Sequence, residues 1–336
     1  MKVGKISEKV LKRSVLKPIK YKRNEIINGA GIGEDCAIFE SSGDAVLVSC
    51  VNEIEIMESG SILRGIQKCA NNIAASGAEP FALMLTLILP EEIEEPMIRK
   101  YMEEAENICT ELKMQIAGGH TTISKAVSLS VMSVTAFGKG TRSHVHTTRG
   151  AQPGQDIVVS KWIGLEGTAM LARMYAEELK TRYPSWLIKE AESFDRYLSI
   201  IPEAATAIKS GVCVMHDASE GGIFAACWEL AESTGVGLSI DLKKLPIRQE
   251  TVEICEFCNR NPYELLSGGC LVMTADDGTR LAEALLAEGI PAAVVGTITD
   301  NRDKIVINDD EIRYLNRPET DEIYKTEKKK GVYKLL

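Results

Sequence analysis

Four short stretches of this chain set glycine beside groups that bind anions, protons or metal ions. The first is Gly29-Ala30-Gly31-Ile32-Gly33-Glu34-Asp35. Alternate glycines at Gly29, Gly31 and Gly33 let a backbone come close to a bulky anion. The acidic pair behind them suits Mg²⁺ next to a phosphate, with Asp35 as the metal candidate. The spacing is GxGxG and no strand precedes it, so it is not the dinucleotide fingerprint; a flexible surface turn is the competing reading. The second stretch, Gly118-Gly119-His120-Thr121-Thr122, joins an imidazole and two hydroxyls to permissive glycines. It reads either as a phosphate cradle or as a β-turn with a polar tip.

The third stretch is His216-Asp217-Ala218-Ser219-Glu220-Gly221-Gly222. A strand ends, a glycine-rich turn follows, and a helix N-terminus points at the turn, a geometry whose N–H groups and dipole favour anions. Asp217 or Ser219 would also serve as a simple cap. His216, Asp217 and Glu220 crowd together more than a cap requires, which makes them the catalytic candidates, with Gly221 and Gly222 beside the anion. The fourth stretch, Ser267-Gly268-Gly269-Cys270, reads as a turn before an apolar strand. Other candidates lack partners. No Ser or Cys sits in a GxSxG elbow. His144 and His146 read as surface histidines. Cys255 and Cys258 form one CxxC with no second pair at zinc spacing, so two small residues on a helix is the better reading.

The elements that must position these groups are legible from periodicity. Residues 5–16 pattern as a short amphipathic helix. Ala45–Val51 is a β-branched run and so a buried strand. Ile62, Ile66, Cys69 and Ile73 fall on one face of a helix over Ser61–Ser76, capped by Gly77. Phe81–Leu89 reads as a strand and Glu92–Leu112 as a helix with Pro96 in its first turn. Met114–Ala117 and Ala126–Phe137 read as strands around a glycine turn. The Gly138–Gly154 stretch, rich in Gly, Thr, Arg and His, marks a boundary, giving domains 1–149 and 150–336. In the second, strands are expected at 156–161, 212–215, 237–240, 270–274 and 292–297, and helices near 166–178, 186–197, 203–209, 222–234 and 277–288. The class is α+β in both halves.

Composition narrows the partners. The 336 residues are 45% hydrophobic and 26% charged, a globular balance for two domains. Net charge is −9, and the one basic run, Lys328–Lys330, is short, so no nucleic acid is expected. The apolar run Phe81–Leu89 is far below the ~20 residues of a membrane helix. Met1–Leu16 mixes charges with single apolar residues and does not read as a secretory signal. Nine scattered cysteines, an odd number, fit free thiols in a reducing compartment, hence a cytoplasmic expectation.

In order, the motifs GAGIGEDCAIF, KCANNIAASGAEPFALMLTLILP, AGGHTTIS, VTAFGKG, KWIGLEGTA, MHDASEGGIFAACWELAE and ELLSGGCLVMTA resemble those of one superfamily, over about residues 5–300. It contains aminoimidazole ribonucleotide (AIR) synthetase, hydrogenase maturation HypE, selenophosphate synthetase and thiamine-monophosphate kinase; the branch called AIR synthase-related, or HypE-like, is the nearest in flavour. The resemblance implies a two-domain PurM-like fold, with an N-terminal domain that closes a β-barrel across a homodimer and a C-terminal α+β domain. It further implies ATP and Mg²⁺ in the interdomain cleft and phosphoryl transfer from ATP to a small-molecule acceptor, achieved mainly by positioning and charge neutralisation.

Three departures qualify that expectation. Where the family has two metal-binding aspartates, this chain has Cys50 and Asn72, a thiol and an uncharged amide. The HypE terminal cysteine is also absent, since the last cysteine is Cys270. The alternatives that follow are a degenerate nucleotide-binding or scaffold protein, and, ranked last, a HypE-like maturation protein.

Overall fold

The computed structural model describes residues 7–145, 147, 150–317 and 320–325. His146, read above as a surface histidine, and the Lys328–Lys330 run lie outside the described residues. A short helix, α1 (Glu8–Val10), continues as wider turns through Leu16. The first sheet then forms from β1 (Ile26–Asn28), β2 (Ala37–Glu40), β3 (Ala45–Glu55), β4 (Glu79–Leu89), β5 (Gln115–Ile123) and β6 (Val131–Thr141). Its order is β1-β2-β3-β6-β4-β5, antiparallel except for the β4/β5 pair. Helices α2 (Ser61–Ala75) and α3 (Glu95–Glu111) cover one face. The stripe anticipated on α2, Ile62, Ile66, Cys69 and Ile73, packs there against Val48, Leu83, Leu87 and Val134, all essentially buried.

The opposite face of that sheet is open. Val51 pairs with Thr135, which pairs with Met84, and this row leaves Val51 66% and Met84 45% exposed. The glycine motif of the second stretch is not a turn, contrary to the reading above. Gly118 through Thr122 lie inside β5, beside Met84 through Ile88 of β4. Glycine is needed because a side chain at Gly119 would stand 1.8 Å from the Leu85 carbonyl oxygen. Local composition suggested a turn; the close parallel pairing to β4 decided for a strand.

The second sheet comprises β7 (Asp156–Ser160), β8 (Val212–Ala218), β9 (Gly237–Asp241), β10 (Cys270–Ala275), β11 (Ala292–Thr299), β12 (Lys304–Asn308) and β13 (Glu311–Tyr314), ordered β13-β12-β9-β11-β7-β10-β8. Around it lie α4 (Leu165–Met174), α5 (Ala176–Leu179), α6 (Ser185–Glu192), α7 (Ile201–Lys209), α8 (Gly222–Thr234), α9 (Gln249–Phe257) and α10 (Gly278–Ala287). The last two strands and α9 carry no strong periodicity and went unread. Cys255 is buried in α9 and Cys258 caps it; both serve as core residues beside Leu171 and Leu265. Strand β8 runs three residues past its expected end, which puts His216 and Asp217 on a strand rather than in a turn.

The two sheets are joined through α2. Ala74 and Ala75 pack among Met215, Ala204 and Leu271 of the second domain. The Asn71 amide donates to the Leu198 carbonyl at 2.7 Å and its oxygen accepts from the Ile200 N–H at 3.1 Å. A buried polar side chain satisfied on both sides fixes the approach of the two domains more sharply than apolar contact does. That contact places one end of α2 beside the end of β8.

Candidate functional site

Three elements converge at this junction. The loop between β1 and β2 supplies Glu34, Asp35 and Cys36; α2 supplies Asn72 and its C-cap Ser76; the end of β8 supplies His216 and Asp217. The loop is held from within: the Asn28 amide donates to Glu34 at 2.7 Å and to the Cys36 carbonyl. It is held from below by α8, because Gly33, at φ 69°, rests on the helix; a side chain there would meet the Glu229 carbonyl oxygen at 3.2 Å. Of the three alternate glycines, Gly33 therefore has a demonstrable steric reason. Gly29 and Gly31 border the same loop.

Asp35, His216 and Asp217 each offer a ligand atom within 4.8 Å of the others. His216 is 4% and Asp217 5% exposed, while the Asp35 carboxylate faces solvent. The imidazole lies between two carboxylates: its Nδ1 is 3.7 Å from Asp35 and its Nε2 3.3 Å from Glu229. Glu229 is itself bound by Arg317 at 2.8 Å. Burial alone would lower the His216 pKa. The Glu229 hydrogen bond and the charges of Asp35, Glu229 and Asp217 override it and hold the ring at about 9, an imidazolium at neutral pH.

The two departures have clear structural consequences. Asn72 takes the amide orientation that donates to both Asp217 oxygens, at 2.9 and 3.1 Å, and to the Lys68 carbonyl. A neutral amide thus touches Asp217 where a second carboxylate would require a cation. Cys50 points away from the cleft into the core, its thiol donating to the Cys69 carbonyl at 3.4 Å. Neighbouring Cys36 and burial hold its pKa well above the usual thiol range, so it is no ready metal ligand. The oxygen donors that fit Mg²⁺ here are Asp35 and Asp217, one or two carboxylates being what that ion takes beside phosphate oxygens.

The remaining sequence candidates separate. Gly221 (φ 85°) and Gly222 (φ 65°) form the turn into α8, and the Gly221 N–H is taken by the buried Asp321 carboxylate at 2.6 Å. Asp321 also accepts from Leu266 and Ile323. Burial outweighs those three bonds and pushes its pKa up to about 7. Glu220 stands beside Asp321 and Tyr324 rather than lining the cleft. Gly118, Gly119, His120 and Thr121 sit on exposed β5, remote from this cleft within one chain. Pairing puts His120 opposite Thr86, which faces Ser133 and then Glu53, on the sheet's open face.

Sequence reasoning passed over several residues. Glu229 and Arg317, which clamp His216, lie in unremarkable helix and tail positions. Glu166 stands inside the KWIGLEGTA motif and Lys68 opens KCANNIAASGAEP, so a signal existed for both, without a reason to pick the charged residue. Among the described residues no helix is long and apolar enough to cross a membrane.

Comparison with known proteins agrees with this architecture. A protein of Methanocaldococcus jannaschii named for hydrogenase expression and formation is 26% identical over 317 residues, covering 90% of this chain and 91% of its own. The carbamoyl dehydratase HypE of Rhodobacter capsulatus is 28% identical over 233 residues, 67% of this chain and 66% of its own. The likeness to HypE proteins is thus direct, and ranking it last on the missing terminal cysteine understated it. Among solved structures, hydrogenase maturation protein HypE in complex with ATP superposes with a TM-score of 0.71 at 16% identity, over 96% of this chain and 98% of that one. A thiamine-monophosphate kinase complexed with AMPPCP and TMP gives 0.69 at 20%, over 87% and 91%. Residues 33–139 match the model of the AIR synthase related protein N-terminal domain and residues 152–308 that of its C-terminal domain. With both halves matched in order, this chain belongs to the AIR synthase related family.

Proposed function

We propose that this protein binds ATP with Mg²⁺ in the cleft between its domains and transfers the γ-phosphoryl group to a small-molecule acceptor. The observation that carries the reading is the convergence of Asp35, His216 and Asp217 under a glycine loop seated on α8. Asp35 and Asp217 are the oxygen ligands for the metal. His216, anchored through Nε2 on Glu229, turns its other ring nitrogen toward Asp35 and suits a phosphate oxygen as a hydrogen-bond donor. Nucleotide-bound neighbours of the same fold support ATP as the ligand.

We further propose that the working form is a homodimer. The open row of Val51, Thr135 and Met84 is what a second copy would cover, and the β5 motif with His120 would face that copy. The degenerate-site reading keeps one specific observation in its favour: the Asn72 amide already satisfies Asp217.

Calorimetric titration of ATP, with and without Mg²⁺, decides between them. Catalytic competence requires Mg²⁺-dependent binding in the natural chain and at least tenfold loss in Asp35→Ala. Degeneracy requires weak, metal-independent binding that Asn72→Asp, which sets a second carboxylate beside Asp217, converts to tighter, Mg²⁺-dependent binding. Absence of ATP binding in both proteins rejects the nucleotide reading.

A further inference from the structure

A second interdomain recess opens on the other side of Asp217, between α2 and the loops around Gly268. Its polar lining includes Arg64 and Lys68 from α2, Glu166 at the start of α4, Asp217 at the end of β8, Ser219 just past it, and Gly268 before β10. Two of these, Lys68 and Glu166, present polar groups that the described residues leave without a partner. The half-buried Lys68 ammonium makes no hydrogen bond or ion pair among the described residues. Arg64 is 8% exposed and is held by Glu58 at 2.6 Å and Asp195 at 3.6 Å, so it stands in the wall as a paired charge. Glu166 is 9% exposed, has no hydrogen-bond partner among the described residues, and is aimed by Gly268, where any side chain would come within 2.1 Å of its Oε2.

A nearly buried carboxylate without a partner is a poor structural choice. Burial pushes Glu166 up to about 7 against the pull of Arg64 and Lys68, so its protonated form is accessible and donates as well. Lys68 therefore calls for acceptor oxygens that carry negative charge.

We infer that this recess is a binding site for a small anionic molecule, a carboxylate or a phosphate ester, held by Lys68 and Glu166, with the paired Arg64 guanidinium in the wall. Because Asp217 borders both recesses, the anion lies next to the proposed nucleotide corner and is the acceptor's handle. That assignment as acceptor rests on the function proposed above; binding of the anion does not.

The test is calorimetric titration of inorganic phosphate and of malonate into the full chain, with and without saturating AMPPCP and Mg²⁺, for the natural protein and for Lys68→Met, Lys68→Arg and Glu166→Gln. A non-hydrolysable triphosphate keeps the probes out of the nucleotide's own phosphate positions, the γ position included. The expected result is saturable binding of at least one probe, weakened tenfold or more by Lys68→Met, largely restored in Lys68→Arg, and tightened by Glu166→Gln, which removes a negative charge and keeps a donor. The preferred probe tells carboxylate from phosphate. An isotherm unmoved by Lys68→Met, or no binding of either probe by a chain that binds ATP, overturns the inference and leaves the nucleotide reading standing. Lys68-dependent binding by a chain that takes no ATP upholds the site and removes its role as an acceptor pocket.

Discussion

Glu166 is a carboxylate folded into a place that disfavours its charge. Burial raises its pKa from 4.5 to about 7, with Arg64 and Lys68 pulling the other way. Between those values the folded state holds a proton that the unfolded chain has released. Stability from this group therefore falls as pH rises from about 4.5 to about 7, and the loss is complete above that. Glu166→Gln removes the ionisation. We expect it to gain on the order of 1–3 kcal/mol over the natural chain at pH 8 and little at pH 5. Thermal melts at the two values check this; an equal effect at both would place the ionised form in a solvated or paired setting. The same scale explains why the candidate site was partly legible. Asp35, His216 and Asp217 announce themselves by type and by neighbouring glycines. Glu229 and Arg317 are single charges in ordinary surroundings, and only folding brings them to the imidazole.

At the level of elements, the decisive unit is strand, turn and helix: β8, the turn through Gly221 and Gly222, and α8. Its helix, expected near 222–234, spans Gly222–Thr234, with Gly221 and Gly235 in the left-handed conformation at its two ends. The turn is clamped from outside. Gly222 lies at φ 65°, and a side chain there would stand 2.6 Å from the Tyr263 carbonyl and 2.8 Å from that of Leu265. Neither backbone oxygen moves easily. Gly222→Ala should cost about 2–4 kcal/mol through combined strain and overlap. Gly235→Ala, also at positive φ but with nothing within 4 Å, should cost about 1 kcal/mol. Urea melts of the two variants provide the comparison, and equal losses would mean that the clamp around Gly222 is soft. The β5 motif teaches the converse. A glycine pair beside polar residues looks like a turn, yet pairing with β4 keeps it extended, which no local pattern encodes.

For the whole molecule, the first sheet carries helices on only one face among the described residues. On the other, the cross-strand row Val51, Thr135 and Met84 is open, two of its three residues being large and apolar. Exposed apolar residues of this kind fit the interface between copies proposed above. Sedimentation at micromolar concentration should give about twice 36.7 kDa. Met84→Glu, which changes an already exposed side chain, should shift the molecule to its monomer mass while leaving the monomer folded. A monomer in the natural chain would reject barrel closure between two copies.

The sequence by itself determined the class, the helices with strong periodicity, the order of the motifs and the three groups at the centre of the cleft. These depend on local pattern: apolar spacing, capping glycines and side-chain type within a few residues. Tertiary structure alone decided which motifs meet. Asp35 and His216 are 181 positions apart, and they adjoin because Asn71 and the alanines of α2 lock the domains together. It also decided that Cys50 turns into the core while Asn72 turns to Asp217, since side-chain direction follows from strand register and helix phase. The anionic recess was invisible for the same reason. Lys68 and Glu166 lie on different domains, and an unmatched donor exists only once the chain has folded around it.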